Sequence, residues 1–528
     1  MNYKFLFLSV FLLAAGCGDV STAADRITLI HLNDTYRIDA VEDGSRGGFG
    51  RVSTVLQELT AAGNDVVLTH GGDFLFPSLE SQLWAGEQMI EALNFLHARA
   101  PLYAVPGNHE FDPRSPAAVI AAIRASNFTW VADNMRLNTG QADVDQALQQ
   151  SLVIDMGDRK VGILALTLLP GDGGNVRDYA PVDGPYIATA ERVLGELEAQ
   201  GVDVIVGITH LHLADDKRIA KLKASHPLLQ VIVGGHEHEP EFAEGDENTA
   251  MIVKGSSNAR VIWQIDIDFS AAGPAAIATS IDIDESIVED AEYQPIADKW
   301  RQRLLAKIPF LPSTVGAAAV PLDAREVTIR NEESGWGNFV VDQMPAAFGE
   351  PVADFAFVNS GTLRIDDYVA GDITFEDIGR TFGFSSFLRH MTINGAAFRN
   401  LLEAGYRGEG PSKGYFPQIS GFRVCVDRSQ PDGQRIVQLQ KPTAAGWQAV
   451  QADTQYTLVA PDYIYGGGDG YDFSAAQNVS RAASELKYLV LDGVIRAQAI
   501  GEAVGGPVDP DNPRIAFASV PGSLCFGQ

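Results

Sequence analysis

Between Ile27 and Ile267 the chain repeats one alternation: a short apolar run rich in valine, isoleucine and leucine, then a polar loop and often a stretch of helical period. The runs are ITLIHL, DVVLTH, PLYAVP, VGILALT, DVIVGIT and LQVIVGG, with amphipathic stretches at 51–62, 87–99 and 188–200 between them. Strands alternating with helices predict an α/β fold. Runs with almost no polar position predict sheets covered by other elements on both faces.

After Asp268 the pattern changes. A softer segment, SAAGPAAIATS, precedes a charged helical stretch at 290–308, and Pro309 and Pro312 follow it. The remainder mixes helical stretches at 337–347 and 396–404 with the strand-like runs FAFVN and YTLVA, which predicts a smaller α+β domain. The expected division is a first domain over 24–284, a linker helix within 285–312 and a second domain over 313–528. No internal repeat interrupts it.

Residues 1–23 read as an export signal: Lys4, an apolar run from Phe5 to Ala15, and small residues before Cys17. The run is too short to span a membrane as a mature helix. LLAAGC resembles a lipoprotein processing site that would leave Cys17 as a lipidated first residue and anchor the chain to a membrane; simple cleavage near Ala23 and Ala24 is the alternative. Both readings place the chain outside the cytoplasm, in a bacterial periplasm or on a membrane. Cys425 and Cys525 could pair in such a compartment or remain two separate buried thiols, and their spacing does not decide.

Charge narrows the partners. With 68 acidic against 39 basic side chains the net charge is −29, a field that repels polyanions and excludes a nucleic-acid polymer held along its phosphates. A small phosphate ester held by metal ions remains open, because bound cations reverse the local sign.

The candidate chemistry sits at the ends of the apolar runs. Asp34 follows ITLIHLN, Asp73 follows VVLTHGG, Asn108 and His109 follow YAVPG, His210 ends VIVGITH, and His236 and His238 follow VIVGG. Each alone reads as a turn or capping residue. In an open α/β sheet, however, the ligand crevice lies beyond the carboxyl ends of the strands, so residues far apart in sequence would converge. Mixed Asp, Asn and His donors suit borderline divalent ions such as zinc or manganese. Two such ions about 3.5–4 Å apart serve in-line displacement at phosphorus, with Asp73 as the candidate bridging carboxylate.

The set ND, GGD, GNHEFD, TH and GGHEH resembles the calcineurin-like metallophosphoesterases, and GNHEFD resembles their 5′-nucleotidase branch. The resemblance implies a metallophosphoesterase sandwich followed by a smaller 5′-nucleotidase C-terminal domain. It implies a His109–Asp112 dyad, one metal ion on Asp34, Asp73 and His238, and another on Asp73, Asn108, His210 and His236. Where the family reads Asp-x-His, this chain reads Asp34-Thr35-Tyr36, so Tyr36 ligates as a phenolate, leaves the position to water, or packs. His70 stands as a replacement nitrogen or a supporting contact, and His212 as a supporting contact rather than a ligand.

In the second half, FVNSGTLR, FGFSSF and APDYIYGGGDGYDF resemble the family's substrate domain. The resemblance implies that Phe384 and Tyr463 sandwich a nucleobase, that Asp469 takes ribose hydroxyls, and that Arg330, Asn359 and Arg364 hold substrate near the phosphate. Gly383-Phe384-Ser385-Ser386 replaces the usual Pro-Phe-Gly-Asn, which removes an amide at the base edge. The expectation is removal of phosphate from nucleoside 5′-phosphates; a different ester, thiosulfohydrolase-like chemistry among them, and a non-catalytic nucleotide-binding lipoprotein are the alternatives.

Overall fold

The computed structural model describes residues 26–169, 177–270, 273–408 and 413–526; the expected signal segment and Cys17 lie outside them. Two sheets form the first half of the chain. One runs, in spatial order, Gly273–Asp282, Val261–Ser270, Arg26–Leu32, Val66–His70, Leu102–Ala104, Thr129–Val131 and Leu148–Gln149. Its last five strands are mutually parallel and its first two are antiparallel additions. The other runs Glu241–Ala243, Met251–Lys254, Leu229–Gly234, Val204–His210, Arg159–Thr167 and Leu152–Met156, parallel through its middle.

Alternation along the strands explains why the sequence runs are continuously apolar. Ile27 and Leu29 point into a core shared with Val161, Ile163, Val204 and Val206 of the opposite sheet. Ile30 and Leu32 point the other way, onto Val52, Leu56, Leu93 and Leu96, which belong to the helices Phe49–Ala61 and Glu87–His97. The second sheet does the same: Leu164 and Leu166 face Val193, Leu194 and Leu197 of the helix Tyr186–Ala199. The result is a four-layer sandwich of helices, sheet, sheet and helices, since successive side chains of a strand leave on opposite faces.

The charged stretch is a helix over Gln294–Lys307. Its Trp300 is buried in the helix-side core of the first sheet, 5.5 Å from the Trp84 ring, and the Arg303 guanidinium covers Trp300 at 4.2 Å. Arg301 on the same helix bonds Glu376 of the second half at 2.6 Å. The second half is built on a five-stranded sheet of Pro417–Ser420, Phe355–Asn359, Gln455–Pro461, Phe387–Asn394 and Gln477–Glu485. Ala356 and Val358 pack toward Trp336 and Val340, while Phe355 and Phe357 pack toward Phe398 and Leu402. Cys425 and Cys525 are joined by a disulfide, tying the strand Arg423–Val426 to the C-terminal segment across a separation of 100 residues.

Candidate metal centre

Parallel pairing brings the strand ends together. Leu32 stands beside His70 in one sheet and Thr167 beside His210 in the other, and the loops that follow fold into the gap between the sheets. Their glycines make that approach possible. A Cβ on Gly107 would lie 2.1 Å from Asp73 Oδ1, and one on Gly72 would lie 2.6 Å from the Gly107 nitrogen and 2.7 Å from His210 Nδ1. Asp34, Asp73 and His236 themselves hold φ of 52°, 60° and 81°, a left-handed backbone that non-glycine residues adopt at a cost of order 1–3 kcal/mol. Such strain persists where surrounding bonds over-determine it. Here Asp34 N–H donates to the Gly72 carbonyl and the Asp34 carbonyl accepts from Asn258 N–H.

Asp34, Asp73 and His210 present donor atoms all within 4.8 Å of one another, and all three are buried. Asn108 Oδ1 is 3.1 Å from His210 Nε2, and the His236 ring lies 5.3 Å from the His210 ring. His238 Nε2 is 3.5 Å from Asp34 Oδ1. The Tyr36 hydroxyl lies in the midst of them, 3.2 Å from Asp34 Oδ1, 3.4 Å from Asp73 Oδ2 and 3.1 Å from His238 Nε2. Its single proton serves only one of these three acceptors. Convergent acceptors with too few protons among them fit a bound cation.

Each histidine is turned by a partner behind it. His210 Nδ1 donates to the Gly71 carbonyl at 2.6 Å, which leaves Nε2 facing the carboxylates. His238 Nδ1 donates to Glu326 Oε2 at 2.6 Å. Burial and the Arg330 charge hold His238 down at about 3, so its imidazole is neutral and its Nε2 lone pair is available, as ligation requires. Burial lowers His210 too, yet Asp73 and Asp34 outweigh it and raise the group to about 10: the pocket draws positive charge to this point. Burial lifts Asp34 to about 7, against the opposing pull of His210.

His70 faces elsewhere. Its Nδ1 accepts from Gly72 N–H at 3.1 Å and its Nε2 donates to Thr35 Oγ1 at 2.8 Å, so it braces the loops that carry Asp34 and Asp73. The His212 ring stands 4.5 Å from that of His236.

His109 donates through Nδ1 to Asp112 Oδ2 at 2.9 Å. Burial lowers its affinity for a proton, but the Asp112 and Asp73 carboxylates outweigh burial and raise it above the ordinary histidine value. Above it stand side chains of the second half. Arg364 Nη2 lies 3.2 Å from His109 Nε2, and the Phe384 ring lies 5.6 Å from the imidazole. The Arg364 guanidinium covers both Phe384, at 5.2 Å, and Tyr36, at 5.5 Å. Asn359 donates to Asp469 Oδ2 at 2.8 Å, and the half-exposed Tyr463 donates to Asp469 Oδ1 at 3.0 Å. Gly468 packs under the Tyr463 ring, where a Cβ would come within 2.6 Å. Arg330 bonds Glu326 at 2.5 Å.

Known proteins resemble this chain in sequence and in fold. The family model described as calcineurin-like phosphoesterase matches residues 27–240, and that described as 5′-nucleotidase, C-terminal domain, matches residues 314–476. The chain belongs to the 5′-nucleotidase family. It is thereby a phosphoesterase hydrolase, of a class that binds divalent metals. A bovine 5′-nucleotidase is 23% identical over 95% of this chain and 92% of its own length, and a 5′-nucleotidase of Homo sapiens is 24% identical over 96% and 93%. In fold, the 5′-nucleotidase precursor of Thermus thermophilus superposes with a TM-score of 0.79 at 23% identity, covering 94% of this chain and all of that one.

Within this 5′-nucleotidase family member, several residues of the site carry no motif signal of their own. Glu110, inside GNHEFD, is fully buried. Its carboxylate accepts from the N–H groups of Asp73, Phe74, Leu75 and Gly107, clamping the two ligand loops together. Buried Lys254 donates to the carbonyls of Leu211 and Gly235 and pairs with Asp216 and Glu237, bracing the loops after His210 and before His236. Asn258 accepts from Tyr36 N–H and donates to Asp366 of the second half. Residue type and spacing mark none of the three, because each acts through partners that only the folded chain brings beside it.

Proposed function

We propose that the chain is an exported, dinuclear-metal nucleotidase that hydrolyses nucleoside 5′-phosphates. The observation that carries this reading is the approach of Arg364 and Phe384 to His109, which brings side chains of the second half beside the proposed dyad and the buried cluster of Asp34, Asp73 and His210.

In this reading Asp34, Asp73 and His238 hold one ion, and Asp73, Asn108, His210 and His236 the other. Two divalent ions held there, zinc or manganese given the mixed nitrogen and oxygen donors, would supply Lewis-acid activation of water and neutralisation of phosphoryl charge. His109 offers its Nε2 proton to the charge that develops on the phosphoryl and leaving oxygens, and Asp112 holds the ring in that orientation. Arg364 adds a second cation on the same face. Phe384 and Tyr463 take the faces of the base, and Asp469, set by Asn359 and Tyr463, accepts from ribose hydroxyls. The disulfide fits an oxidising compartment and agrees with the signal-like first residues, with lipid on Cys17 as the means of membrane attachment.

The test is phosphate release from AMP, ADP, UDP-glucose and bis-p-nitrophenyl phosphate after metal is stripped and zinc or manganese restored. Metal-dependent release from AMP supports the nucleotidase. Release from the artificial diester alone keeps the metal centre and rejects the nucleotide; Ser385 and Ser386, in place of an amide at the base edge, favour that second reading. Nucleoside binding without any release leaves a binding protein.

A further inference from the structure

The second half contains a cavity of about 210 Å³ behind the substrate loops. Five cationic side chains line it, Arg330, Arg407, Lys413, Arg428 and Arg435, together with Tyr406, and none of the described lining residues is acidic. Against a chain with net charge −29, that concentration of positive charge runs opposite to the rest of the molecule.

Backbone carbonyls hold most of these cations without cancelling their charge. Arg435 donates to the carbonyls of Tyr406, Gly408 and Gln430, Arg428 to that of Asn331, and Arg407 to those of Ala404 and Asp469. The carboxylates that oppose them stand outside the lining: Asp432 pairs with Arg435 at 3.0 Å and Glu326 with Arg330, Glu332 acts on Arg428 and Glu333 and Glu403 act on Tyr406, and Glu237 and Glu241 act on Lys413 from across the domain junction. Two lining residues are buried with a polar atom that has no hydrogen-bond partner among the described residues, Arg330 through Nε and Tyr406 through its hydroxyl. A buried donor without an acceptor forfeits the hydrogen bond it makes with water in the unfolded chain, so a ligand that accepts from both would restore it.

We propose that this cavity binds an inorganic phosphate oxyanion, orthophosphate or diphosphate, apart from the metal centre. Guanidinium groups match phosphate oxygens in pairs, and the volume falls below the roughly 300 Å³ at which pockets for larger organic ligands begin, which excludes a whole nucleotide. Occupancy reaches the proposed catalytic site by two contacts. Arg330 also bonds Glu326, which orients His238, and Arg407 also holds the Asp469 carbonyl beneath the ribose position.

The experiment is calorimetric titration of orthophosphate, then diphosphate, into the full mature chain, metal-loaded and metal-free, for wild type, Arg428→Glu and Tyr406→Phe. Arg428 is exposed, so its reversal leaves the core intact, and Tyr406→Phe removes only the hydroxyl. The expected result is one equivalent that persists without metal, weakened tenfold or more by either substitution. Binding at the metal centre would vanish on metal removal and ignore both substitutions, so failure of the nucleotidase reading leaves this test standing. Metal-free protein that binds no phosphate, or binds it equally in all three forms, overturns the proposal.

Discussion

Glu326 and His238 face each other across the junction of the two halves, and the Glu326 carboxylate accepts the His238 Nδ1 proton at 2.6 Å while also accepting from Ser257 Oγ at 2.8 Å. Arg330 and His238, with Arg364 near by, outweigh burial and keep Glu326 well below the ordinary carboxylate range, so the contact is a carboxylate holding a neutral imidazole. Partners of this kind typically contribute 10- to 100-fold in metal affinity or activity. Glu326→Ala is expected to weaken metal binding by about that factor, and Glu326→Gln by less, since the amide oxygen still accepts. Titration of metal-free protein with zinc or manganese checks it; an unchanged affinity in the alanine variant rejects the role.

Tyr36 sets a hydroxyl among the candidate ligands, where an imidazole would offer a stronger nitrogen donor. Its hydroxyl sits among Asp34, Asp73 and His238, so Tyr36→His is expected to raise the affinity for the second metal equivalent by about tenfold or more, on the same scale as ligand-shell changes elsewhere. Metal content after dialysis against a graded chelator reads this out. No change would show that Tyr36 already serves as well as histidine.

The raised proton affinity of His109 sets the direction of a pH effect. Asp112 and Asp73 keep the imidazolium present to higher pH than a free histidine, so activity that needs this proton fades as pH rises through the raised value. Asp112→Asn removes the larger of these two charge contributions, and the alkaline limb of the kcat/KM profile is expected to move toward acid while the rate falls about 10²–10⁴-fold. A limb that stays in place would mean another group titrates there.

Phe384 tests the base platform. Stacking contributes about 1–3 kcal/mol per base, so Phe384→Ala is expected to raise KM for AMP by about 5- to 150-fold, and to leave a phosphate ester without a base less affected. Steady-state kinetics on AMP and on p-nitrophenyl phosphate separate the two. Equal losses on both would place Phe384 in support of His109 instead.

What could be read from the sequence follows from where information is local. Strand runs and their terminal Asp, Asn and His are set by period and spacing, and FAFVN is a strand over Phe355–Asn359 as the pattern predicts. The calcineurin-like first domain and the 5′-nucleotidase second domain are likewise those the motifs resemble. The pairing of Cys425 with Cys525 was open, because a separation of 100 residues says nothing of distance in space. Glu326 was invisible for the same reason: in PLDAREVTIR it is one charged residue among several, and its meaning depends on the second half docking beside His238. Glu110 lies inside the most informative motif, yet a buried glutamate that accepts four backbone N–H groups leaves no trace in residue type. The chemistry of the ends of strands is legible; the bonds that hold those ends in place belong to the folded chain.

The central claim is that His109 acts on the phosphate of a nucleotide held by the second half. The measurement that bears on it most directly is AMP hydrolysis by metal-loaded wild type and His109→Ala, with AMP affinity determined in parallel. The account predicts metal-dependent release of phosphate by wild type, and in the variant a kcat lower by about 10²–10⁴-fold with AMP still bound. A variant that hydrolyses AMP at the wild-type rate, or a wild type that binds AMP with metal present and releases nothing, contradicts it.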